Sequence, residues 1–350
     1  MRIAQVAPLY ESVPPKFYGG TERIVSYLTE ELVALGHDVT LFASGDSQTR
    51  ARLIAGCPRS LRLDPHCIDQ LAHHQLMLEW VAQQAHRFDV IHFHLDYLHF
   101  PLSRRSGYRQ VTTLHGRLDI PDLPPLYREF SEMPLVSISD SQRVPLPNVN
   151  WRATVYHGLP RDLYRFRAEP GEYLACLGRI SPEKGIDHAI EIAKQVQIPL
   201  RIAAKVDRAD RDYFDNVIEP LLDDPIVEYI GEIGDAAKDD FLGNAKALLF
   251  PIDWPEPFGL VMIEAMACGT PVIAYASGSV PEVMEQDRTG FIVTGLADAV
   301  GAVRRLPRLS RARCREVFEE RFTAERMARD YVDVYEDLLA PPLKLAVQAS

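Results

Sequence analysis

The chain has 350 residues, of which 47% are hydrophobic and 25% charged, a composition typical of a soluble globular protein with two domains of ordinary size. Its formal net charge of −11 argues against general nucleic-acid binding and against strong attraction to anionic membranes. The five cysteines are scattered without a Cys-x-x-Cys pair, which argues against a disulfide framework and a cysteine zinc cluster and indicates reduced thiols.

The cytoplasm is the predicted location. No apolar run approaches the roughly 20 residues that a membrane-spanning helix needs. Met1 leads directly into the strand-like segment RIAQVAPLY, so we expect no secretory signal. We therefore expect no transmembrane segment and no membrane association, and the sequence leaves the oligomeric state open.

The first half of the chain alternates strand-like apolar runs with helical patterns. A strand is predicted at 3–7, and residues 21–35 have the amphipathic pattern of a helix with Thr21 as its N-cap. Further strands are predicted in this half at 39–43, 90–93, 111–114, 135–139 and 154–156. Basic and acidic residues balance over residues 1–165, so the excess negative charge lies in the second half.

The alternation starts afresh near Glu172, after the polar stretch RDLYRFRAEPGE. Helices are predicted at 186–196 and 235–245, and strands at 173–177, 200–204, 227–230, 247–250 and 271–275. The arginine-rich stretch RRLPRLSRARCR, residues 304–315, is interpreted as a solvated helix face rather than a binding patch. A final helix is predicted at 323–339.

Alternating strands and helices form right-handed βαβ units around parallel sheets. We therefore predict an α/β fold with two doubly wound, Rossmann-like domains that face each other across a cleft. The predicted domains are 1–168 and 169–322, followed by a segment at 323–350 that comprises a helix crossing back to the first domain and a loose tail. Ligands of such folds bind beyond the carboxyl ends of the strands, so the site is predicted in the cleft.

The most informative segment is EPFGLVMIEAMACGTPVIA, in which Glu256 and Glu264 stand eight positions apart on what we predict to be one buried helix. A charge on such a helix is costly unless a partner or a ligand satisfies it. Eight helical residues span about 12 Å, which is too far for an acid/base pair but suits two parts of one long ligand such as a nucleotide-sugar. The alternative is a first-turn glutamate at Glu256 and an ion-paired core glutamate at Glu264.

Two loops are candidates for binding phosphate. Gly19 and Gly20 stand immediately before the first predicted helix, where backbone N–H groups can approach an anion, although a simple turn is the alternative. In GRISPEKG, residues 178–185, Arg179 and Lys184 flank a Ser-Pro turn ahead of a helix. Two cations at a helix N-terminus suit a diphosphate, and two solvent-exposed loop charges are the alternative.

Two further polar residues follow predicted strands. Lys205 ends LRIAAK, and a lysine at the carboxyl end of a parallel strand points near the ligand region, with an ordinary strand-end lysine as the alternative. His115 follows a strand in VTTLHG, and its imidazole is suited to bind a sugar hydroxyl or to steady developing charge. A histidine satisfied within its own loop is the other interpretation.

The segment HFHLDYLH has the His-x-His spacing of a metal site, with His92, His94, Asp96 and His99 as candidate ligands. No second cluster supplies further ligands, so an acceptor-side wall or ordinary packing is the preferred interpretation. We assign His94, Asp96 and Tyr18 to the acceptor side and predict no metal. The sequence lacks Gly-x-Ser-x-Gly, Walker Gly-Lys-Ser/Thr and His-Glu-x-x-His, so hydrolase, P-loop kinase and zincin interpretations lose support.

Taken in order, these segments resemble the family 4 glycosyltransferases, a large retaining group with the GT-B fold. The resemblance covers nearly the whole chain and rests on FYGGTER, TLHG, SISDSQR, GRISPEKG, the Glu-x7-Glu segment and GSVPEVMEQDRTGFIV. The FYGGTER opening and the loop Tyr156-His157-Gly158 look closest to the avilamycin-biosynthesis type. The common second-domain entry Asn-Gly-x-Asp is replaced here by His157-Gly158-Leu159-Pro160, which is a departure from the family pattern at the hinge.

The resemblance implies roles for the residues that match its motifs. Arg179 and Lys184 would bind the donor diphosphate and stabilise the departing phosphate. Glu256 would face the donor sugar, Glu264 would bind the ribose hydroxyls, and His115 would sit beside the reacting sugar. The remaining donor contacts would come from Gly19, Gly20, Lys205, Phe258, Gly259 and Leu260.

The implied activity is transfer of a hexose, with retained anomeric configuration, from a nucleoside-diphosphate sugar to a hydroxyl acceptor. The first domain would face the acceptor and the second would bind the nucleotide-sugar, for which UDP is favoured and GDP is second. The donor is a substrate, family members usually need no metal, and no cofactor is predicted. The alternatives are a nucleotide-sugar isomerase of the 2-epimerase type and a non-catalytic nucleotide-sugar-binding module.

Overall fold

The computed structural model describes residues 1–16 and 19–340, which form two β-sheets, one in each half of the chain. The strands of the first sheet are β1 Arg2–Val6, β2 Asp38–Ser44, β3 Arg52–Cys57, β4 Val90–Phe93, β5 Gln110–Thr113, β6 Leu135–Ser137 and β7 Trp151–Thr154. The strands of the second are β8 Tyr173–Ile180, β9 Leu200–Val206, β10 Val227–Gly231, β11 Ala245–Phe250, β12 Val272–Tyr275 and β13 Gly290–Val293. The α-helices are α1 Gly20–Ala34, α2 Gln70–Gln84, α3 Phe100–Ser106, α4 Leu123–Glu129, α5 Asp140–Arg143, α6 Ile186–Val196, α7 Arg211–Tyr213, α8 Asp235–Gly243, α9 Leu260–Cys268, α10 Val280–Val283, α11 Leu296–Arg305, α12 Arg311–Arg321 and α13 Ala324–Leu339.

Both sheets have the strand order of a doubly wound fold. The order is β3-β2-β1-β4-β5-β6-β7 in the first sheet and β10-β9-β8-β11-β12-β13 in the second, and the paired strands run parallel. The winding reverses between β1 and β4 and again between β8 and β11, and a crevice opens at such a reversal, beyond the carboxyl ends of the strands. The predicted α/β fold with two Rossmann-like domains is confirmed.

The second sheet is covered on both faces, because alternate residues of a strand point to opposite sides. In β8, Leu174 and Cys176 belong to a core cluster with α6 and α11, while Ala175 belongs to the cluster with α9 and α12. Strands that are buried on both faces have nearly continuous apolar sequences. This is why β8, β9 and β11 could be predicted from the sequence.

The last helix, α13, packs on the first sheet although it follows the strands of the second. Met327, Tyr331 and Tyr335 are fully buried in one cluster with Ile3 of β1 and Leu28 of α1. The helix thus ties the end of the chain to the first domain. The predicted domain boundaries at residues 168 and 322 stay predictions. The predicted tail at 341–350 lies outside the described residues. Within the described part of the chain, no helix is long and apolar enough to cross a membrane.

Several predictions of individual elements are wrong. The first helix begins at Gly20 with Gly19 as its N-cap, and no side chain caps it, so Thr21 is not the cap. The strand predicted at 154–156 ends at Thr154 instead. Strands β3 and β13 were not predicted, because both lie at sheet edges, where β3 is partly exposed and β13 has only four residues, and a short or half-exposed strand has a weak apolar pattern.

The arginine-rich stretch is not a solvated face throughout, so that interpretation is wrong for its central residue. Arg311, the first residue of α12, is buried. Its guanidinium donates hydrogen bonds to four oxygen atoms, the backbone carbonyls of Arg167, Gly243 and Ala245 and the hydroxyl of Thr270. Arg313, on the same helix, is exposed and pairs with Glu316, as the interpretation expected.

Candidate active site

A cleft of about 550 Å³ opens between the two domains, at the carboxyl ends of both sheets. Its volume lies in the range of about 300–1,000 Å³ that is usual for small-molecule sites. Every predicted site residue that the structure describes lines this cleft, namely Gly19, Gly20, His94, Asp96, His115, Arg179, Lys184, Lys205, Glu256, Phe258, Gly259, Leu260 and Glu264. Tyr18, which was also predicted, lies outside the described residues.

Lys184 and Glu256 form an ion pair on the second domain's side of the cleft. Lys184 follows β8 and Glu256 follows β11, and these two strands are neighbours in the sheet. The Lys184 Nζ atom lies 2.5 Å from Oε2 of Glu256, and the indole Nε1 of Trp254 lies 3.1 Å from the same oxygen. Lys184 Nζ also lies 4.9 Å from the centroid of the Trp254 ring. The lysine is therefore held at the cleft by a carboxylate and an aromatic face.

Glu256 lies in a loop, since α9 begins only at Leu260, so the prediction that both glutamates share one helix is wrong. The loop depends on a glycine with a left-handed backbone: Gly278 has a φ of 54°, and a Cβ there would come within 2.3 Å of the Glu256 backbone nitrogen. The next residue, Ser279, donates its backbone N–H to the Glu256 carbonyl at 2.9 Å. Close backbone packing thus positions Glu256.

Glu264 is buried in α9, with 3% of its surface exposed. Its Oε1 atom accepts hydrogen bonds from Lys238 Nζ at 2.9 Å and from the Tyr164 hydroxyl at 3.2 Å. It also lines the cleft. The ion pair of the alternative interpretation is therefore observed, while binding of a ligand by the same carboxylate stays a prediction.

Carboxylates surround the other predicted phosphate-binding cation, Arg179. The Glu183 carboxylate lies 2.6 Å from its Nη2 atom, and those of Asp207 and Asp210 lie within 3.8 Å of its guanidinium. Lys205 Nζ pairs with Asp207 at 2.8 Å. These acids reduce the positive potential at this end of the site, so a diphosphate would compete with them for Arg179.

The first domain approaches the second where α1 begins. A Cβ on Gly20 would lie 3.7 Å from the Leu260 side chain, so the two loops nearly touch. Arg23, in the first turn of α1, forms an ion pair with Asp235 at the start of α8. The N-terminus of α1, which favours negative charge, is thereby held close to the loops that carry the cations.

The histidines of HFHLDYLH bond to protein groups. The ring nitrogens of His92 contact Thr113 and Tyr335, and those of His99 contact Ser103 and Thr112. Across residues 1–16 and 19–340, no group of three His, Cys, Asp or Glu side chains is placed to hold a metal ion. Packing explains His92 and His99, while His94 and Asp96 reach the cleft as the acceptor-side interpretation requires.

His115 is a neutral group at the cleft. Its Nε2 atom lies 2.9 Å from Nδ1 of His94, and its ring stacks on that of His157 with 5.3 Å between centroids. Loss of hydration in this cluster lowers the pKa of His115 to about 3. A neutral imidazole can donate one hydrogen bond and accept another, so both uses predicted for His115 stay predictions.

Asp96 occupies a strained position just beyond β4. Its φ is 50°, in the left-handed region that a residue with a side chain seldom adopts. Asp96 is exposed on the cleft, and the surrounding walls raise the pKa of its carboxyl to about 6 by partial desolvation. Backbone strain and a raised pKa in one cleft residue are typical of functional sites.

The substitution Asp96→Asn is expected to raise the thermal unfolding midpoint at neutral pH by a small amount, because solvent screens a group that is exposed on the cleft. The folded protein holds the Asp96 proton up to about pH 6, whereas the unfolded chain releases it near pH 3.8, so this carboxyl lowers the free energy of unfolding as the pH rises between those values. The stabilisation by asparagine should be largest above about pH 6 and vanish below about pH 4. Scanning calorimetry of both proteins over this range checks it, and a pH-independent difference would contradict the raised pKa.

Sequence reasoning missed side chains that hold the predicted ones in place. Trp254 stands two residues before Glu256, and an indole so close to a candidate carboxylate was a usable signal. Tyr164 and Lys238 had no such signal, because each is distant in sequence from Glu264. The ring of His157 stacks on that of His115, and His157 lies in the segment that departs from the family pattern at the hinge.

Two protein families match consecutive parts of this chain. The family described as Glycosyltransferase Family 4 matches residues 18–165, and the family described as Glycosyl transferases group 1 matches residues 165–316. One curated relative, the N-acetyl-alpha-D-glucosaminyl L-malate synthase of Bacillus anthracis, is 27% identical over 92% of this chain and 94% of its own length.

Solved structures share the fold of the whole chain. AviGT4, a glycosyltransferase involved in avilamycin A biosynthesis, matches with a TM-score of 0.75 and 23% identity over 97% of this chain and 98% of its own. Anabaena HepE in complex with UDP and glucose matches with a TM-score of 0.75 and 17% identity over 96% of this chain and 100% of its own. At these identities the likeness establishes the fold.

Two facing Rossmann-like domains with a cleft between them define the GT-B fold, and the protein is an enzyme of the glycosyltransferase class. Within that class, the chain belongs to the family 4 glycosyltransferases. The family resemblance found in the motifs is thereby confirmed. The closer resemblance to the avilamycin-biosynthesis type and the roles of single residues stay predictions.

Proposed function

We propose that the protein transfers a hexose from a UDP-sugar to a hydroxyl acceptor with retention of the anomeric configuration. One observation carries the proposal: the cleft brings cations and carboxylates of the second domain together with His115 and the start of α1 from the first. A nucleotide-sugar is a long ligand with a diphosphate in its middle, and this cleft offers cations for the diphosphate and carboxylates for hydroxyl groups. The predicted roles of the site residues are part of the proposal.

Lys184 is the residue that we place on the departing diphosphate. In the structure Lys184 pairs with Glu256. When a phosphate oxygen takes the place of the Glu256 carboxylate beside Lys184, Glu256 is free to turn to the donor sugar. The predicted roles of Lys184 and Glu256 are linked in this way. Arg179 would join Lys184 by exchanging Glu183 for phosphate. Glu264, held by Lys238 and Tyr164, would accept hydrogen bonds from the ribose hydroxyls.

The proposed reaction occurs on one face of the sugar. The bond between the anomeric carbon and the diphosphate oxygen breaks, and the acceptor oxygen bonds to that carbon from the same side. The acceptor proton passes to the departing phosphate, whose negative charge Lys184 and the N-terminus of α1 stabilise. Glu256 would keep its hydrogen bond from Trp254 after Lys184 has turned to the phosphate, which favours a charge-holding role for it over attack on the sugar.

UDP is the nucleotide that we propose first and GDP second. HepE, which has the same fold, was solved with UDP and glucose, and this supports the order. The test is the thermal unfolding midpoint with UDP, GDP, ADP and dTDP, followed by slow hydrolysis of the corresponding sugars. A nucleotide present at 100 times its dissociation constant adds about 2.7 kcal/mol to the free energy of unfolding.

The outcomes of this test separate the alternatives. A shift by one nucleotide together with cleavage of its sugar supports transfer. Conversion of the sugar donor to an isomer, without any acceptor, would instead make the protein an isomerase of the 2-epimerase type. A donor that binds and stays intact indicates a binding module, and no shift with any nucleotide contradicts the proposed diphosphate site.

The substitution Glu264→Gln is expected to weaken UDP binding by about tenfold, since a charge-assisted hydrogen bond to ribose is lost while the shape is kept. Binding of 2′-deoxy-UDP should change much less, because one of the two ribose hydroxyls is already missing. Isothermal titration of both nucleotides with both proteins measures the difference. An equal loss for the two ligands would show that Glu264 acts on the fold rather than on the ribose.

A further inference from the structure

A chain of buried hydrogen bonds leads from the cleft to the last helix. Nε2 of His115 lies 2.9 Å from Nδ1 of His94, and Nε2 of His94 lies 2.8 Å from Oε1 of Gln5 in β1. The Gln5 amide nitrogen donates to the Tyr335 hydroxyl of α13 at 3.0 Å. That hydroxyl lies 2.7 Å from Nδ1 of His92. Gln5, His92 and Tyr335 are fully buried and His94 nearly so.

Burial keeps the imidazoles of this chain neutral. Desolvation holds the pKa of His92 and His94 well below the usual range and lowers that of His115 to about 3. A neutral imidazole has one nitrogen that donates and one that accepts. If one group in such a chain donates its hydrogen bond on a known side and accepts on the other, the tautomers of the histidines bonded to it follow.

Gln5 is the group that defines the direction. Its carbonyl oxygen faces His94 and its NH2 group faces Tyr335, and an amide oxygen only accepts while an amide nitrogen only donates. Nε2 of His94 therefore carries the proton, and Nδ1 of His94 accepts. Nε2 of His115 then donates to His94, which leaves Nδ1 of His115 without a proton.

We propose that Gln5, oriented by Tyr335, is a positioning residue that holds His115 as the Nε2-protonated tautomer, so that Nδ1 accepts a hydrogen bond from a hydroxyl of the donor sugar. His115 lines the cleft with Nε2 turned inward to His94, which leaves Nδ1 for a ligand. The tautomer follows from the orientation of the Gln5 amide, whose oxygen faces His94. Only the sugar-facing part rests on the proposed function.

This arrangement gives the last helix a part in the site. Tyr335 lies in α13, which follows the second domain in the chain, yet its hydroxyl accepts a hydrogen bond from an amide in the first strand of the first domain. Tyr331, about one turn earlier in the same helix, bonds Thr113, beyond His92 and away from the path between Gln5 and His115. The two tyrosines are therefore a matched pair for a test.

The experiment measures the tautomer of His115 by nitrogen-15 NMR of histidine-labelled protein, with His115→Gln identifying its signals. In the wild type between about pH 6 and pH 8 we expect a protonated Nε2 and an unprotonated Nδ1. Tyr335→Phe frees the Gln5 amide to turn over and should give a mixture of tautomers, whereas Tyr331→Phe should leave the spectrum of His115 unchanged. Gln5→Met removes both hydrogen bonds of the Gln5 amide, so its His115 spectrum should resemble that of Tyr335→Phe. It replaces Tyr335→Phe in the experiment if the tyrosine variant folds poorly.

Two spectral results would overturn the proposal: a proton on Nδ1 of His115 in the wild type, or a His115 tautomer that neither Tyr335→Phe nor Gln5→Met changes. In hydrolysis of a UDP-hexose, Tyr335→Phe should lower kcat about tenfold and leave UDP affinity unchanged, while Tyr331→Phe stays within about twofold. If the tautomer shifts while kcat is unchanged, the proposed hydrogen bond between the sugar and His115 is wrong, and the transferase proposal is not affected. If the wild type cleaves no sugar nucleotide, the transferase proposal and the sugar-facing role fail together, and the spectra still decide the tautomer.

Discussion

Replacement of Lys184 by alanine is expected to lower kcat for hydrolysis of a UDP-hexose by about 10²–10³-fold, the usual cost of removing one group that stabilises transition-state charge. UDP affinity should fall by less than about tenfold, because the diphosphate of the free nucleotide keeps the α1 N-terminus and Arg179 as partners. The reason for the difference is that negative charge grows on the departing phosphate only as the glycosidic bond breaks. Lys184, which reaches the cleft beside Glu256, is the cation that we place on that charge.

Lys194→Ala is the matched control for this experiment. Lys194 lies on the helix that follows the Lys184 turn, is partly exposed and pairs with Asp224. Its removal should leave both kcat and UDP affinity within about twofold, as is usual for surface substitutions. If Lys184→Ala behaves like this control, the residue is a structural partner of Glu256 and the proposed role is wrong. If UDP affinity falls as far as kcat, Lys184 binds the nucleotide without favouring the transition state.

The second large effect is expected on stability, from Arg311→Leu. The Arg311 guanidinium donates to four oxygen atoms that belong to the segment before β8, the end of α8, the start of β11 and the turn before β12. Leucine would leave buried carbonyl groups without donors, and each such group costs about 1–3 kcal/mol. We therefore expect a total loss of about 3–5 kcal/mol, as for removal of one partner from a buried charged network.

Thermal unfolding of Arg311→Leu beside Arg313→Leu measures this effect. Both residues lie on α12, but Arg313 has 54% of its side chain exposed and pairs only with Glu316 within the described structure. The control should change the free energy of unfolding by less than about 0.5 kcal/mol, while Arg311→Leu should lower the midpoint by about 6–20 °C for a domain of this size. Equal midpoints for the two variants would mean that water replaces the lost donors.

Much of the fold was predictable because a strand that is buried on both faces of a parallel sheet consists of nearly consecutive apolar residues. Helix α6 was predicted at its observed bounds, and strand β4 likewise. Strand β3 was missed because it is partly exposed, and β13 because it has only four residues, so the apolar signal of each is weak. The cap of α1 was misassigned because Gly19 ends the preceding loop without any side-chain bond to mark it.

The candidate site shows the same division. Motif order and residue type were sufficient to select Lys184, Glu256, Glu264 and His115, because charged or polar residues at the ends of parallel strands have few structural reasons to be there. The hydrogen-bonding partners of those residues could not be predicted from the sequence. Tyr164 bonds Glu264 across a large separation in the chain, and no local pattern marks a phenol that folding will bring to a carboxylate.

By itself, the sequence determined the alternating architecture, the family and many of the residues that face the cleft, because all of these depend on local patterns of polarity and spacing. Only the tertiary structure decided which charges pair, which arginine is buried and how His115 is connected to the last helix. Pairing depends on distances of a few ångströms between segments far apart in the chain, and burial depends on what covers a residue. Those quantities exist only once both sheets and α13 have come together.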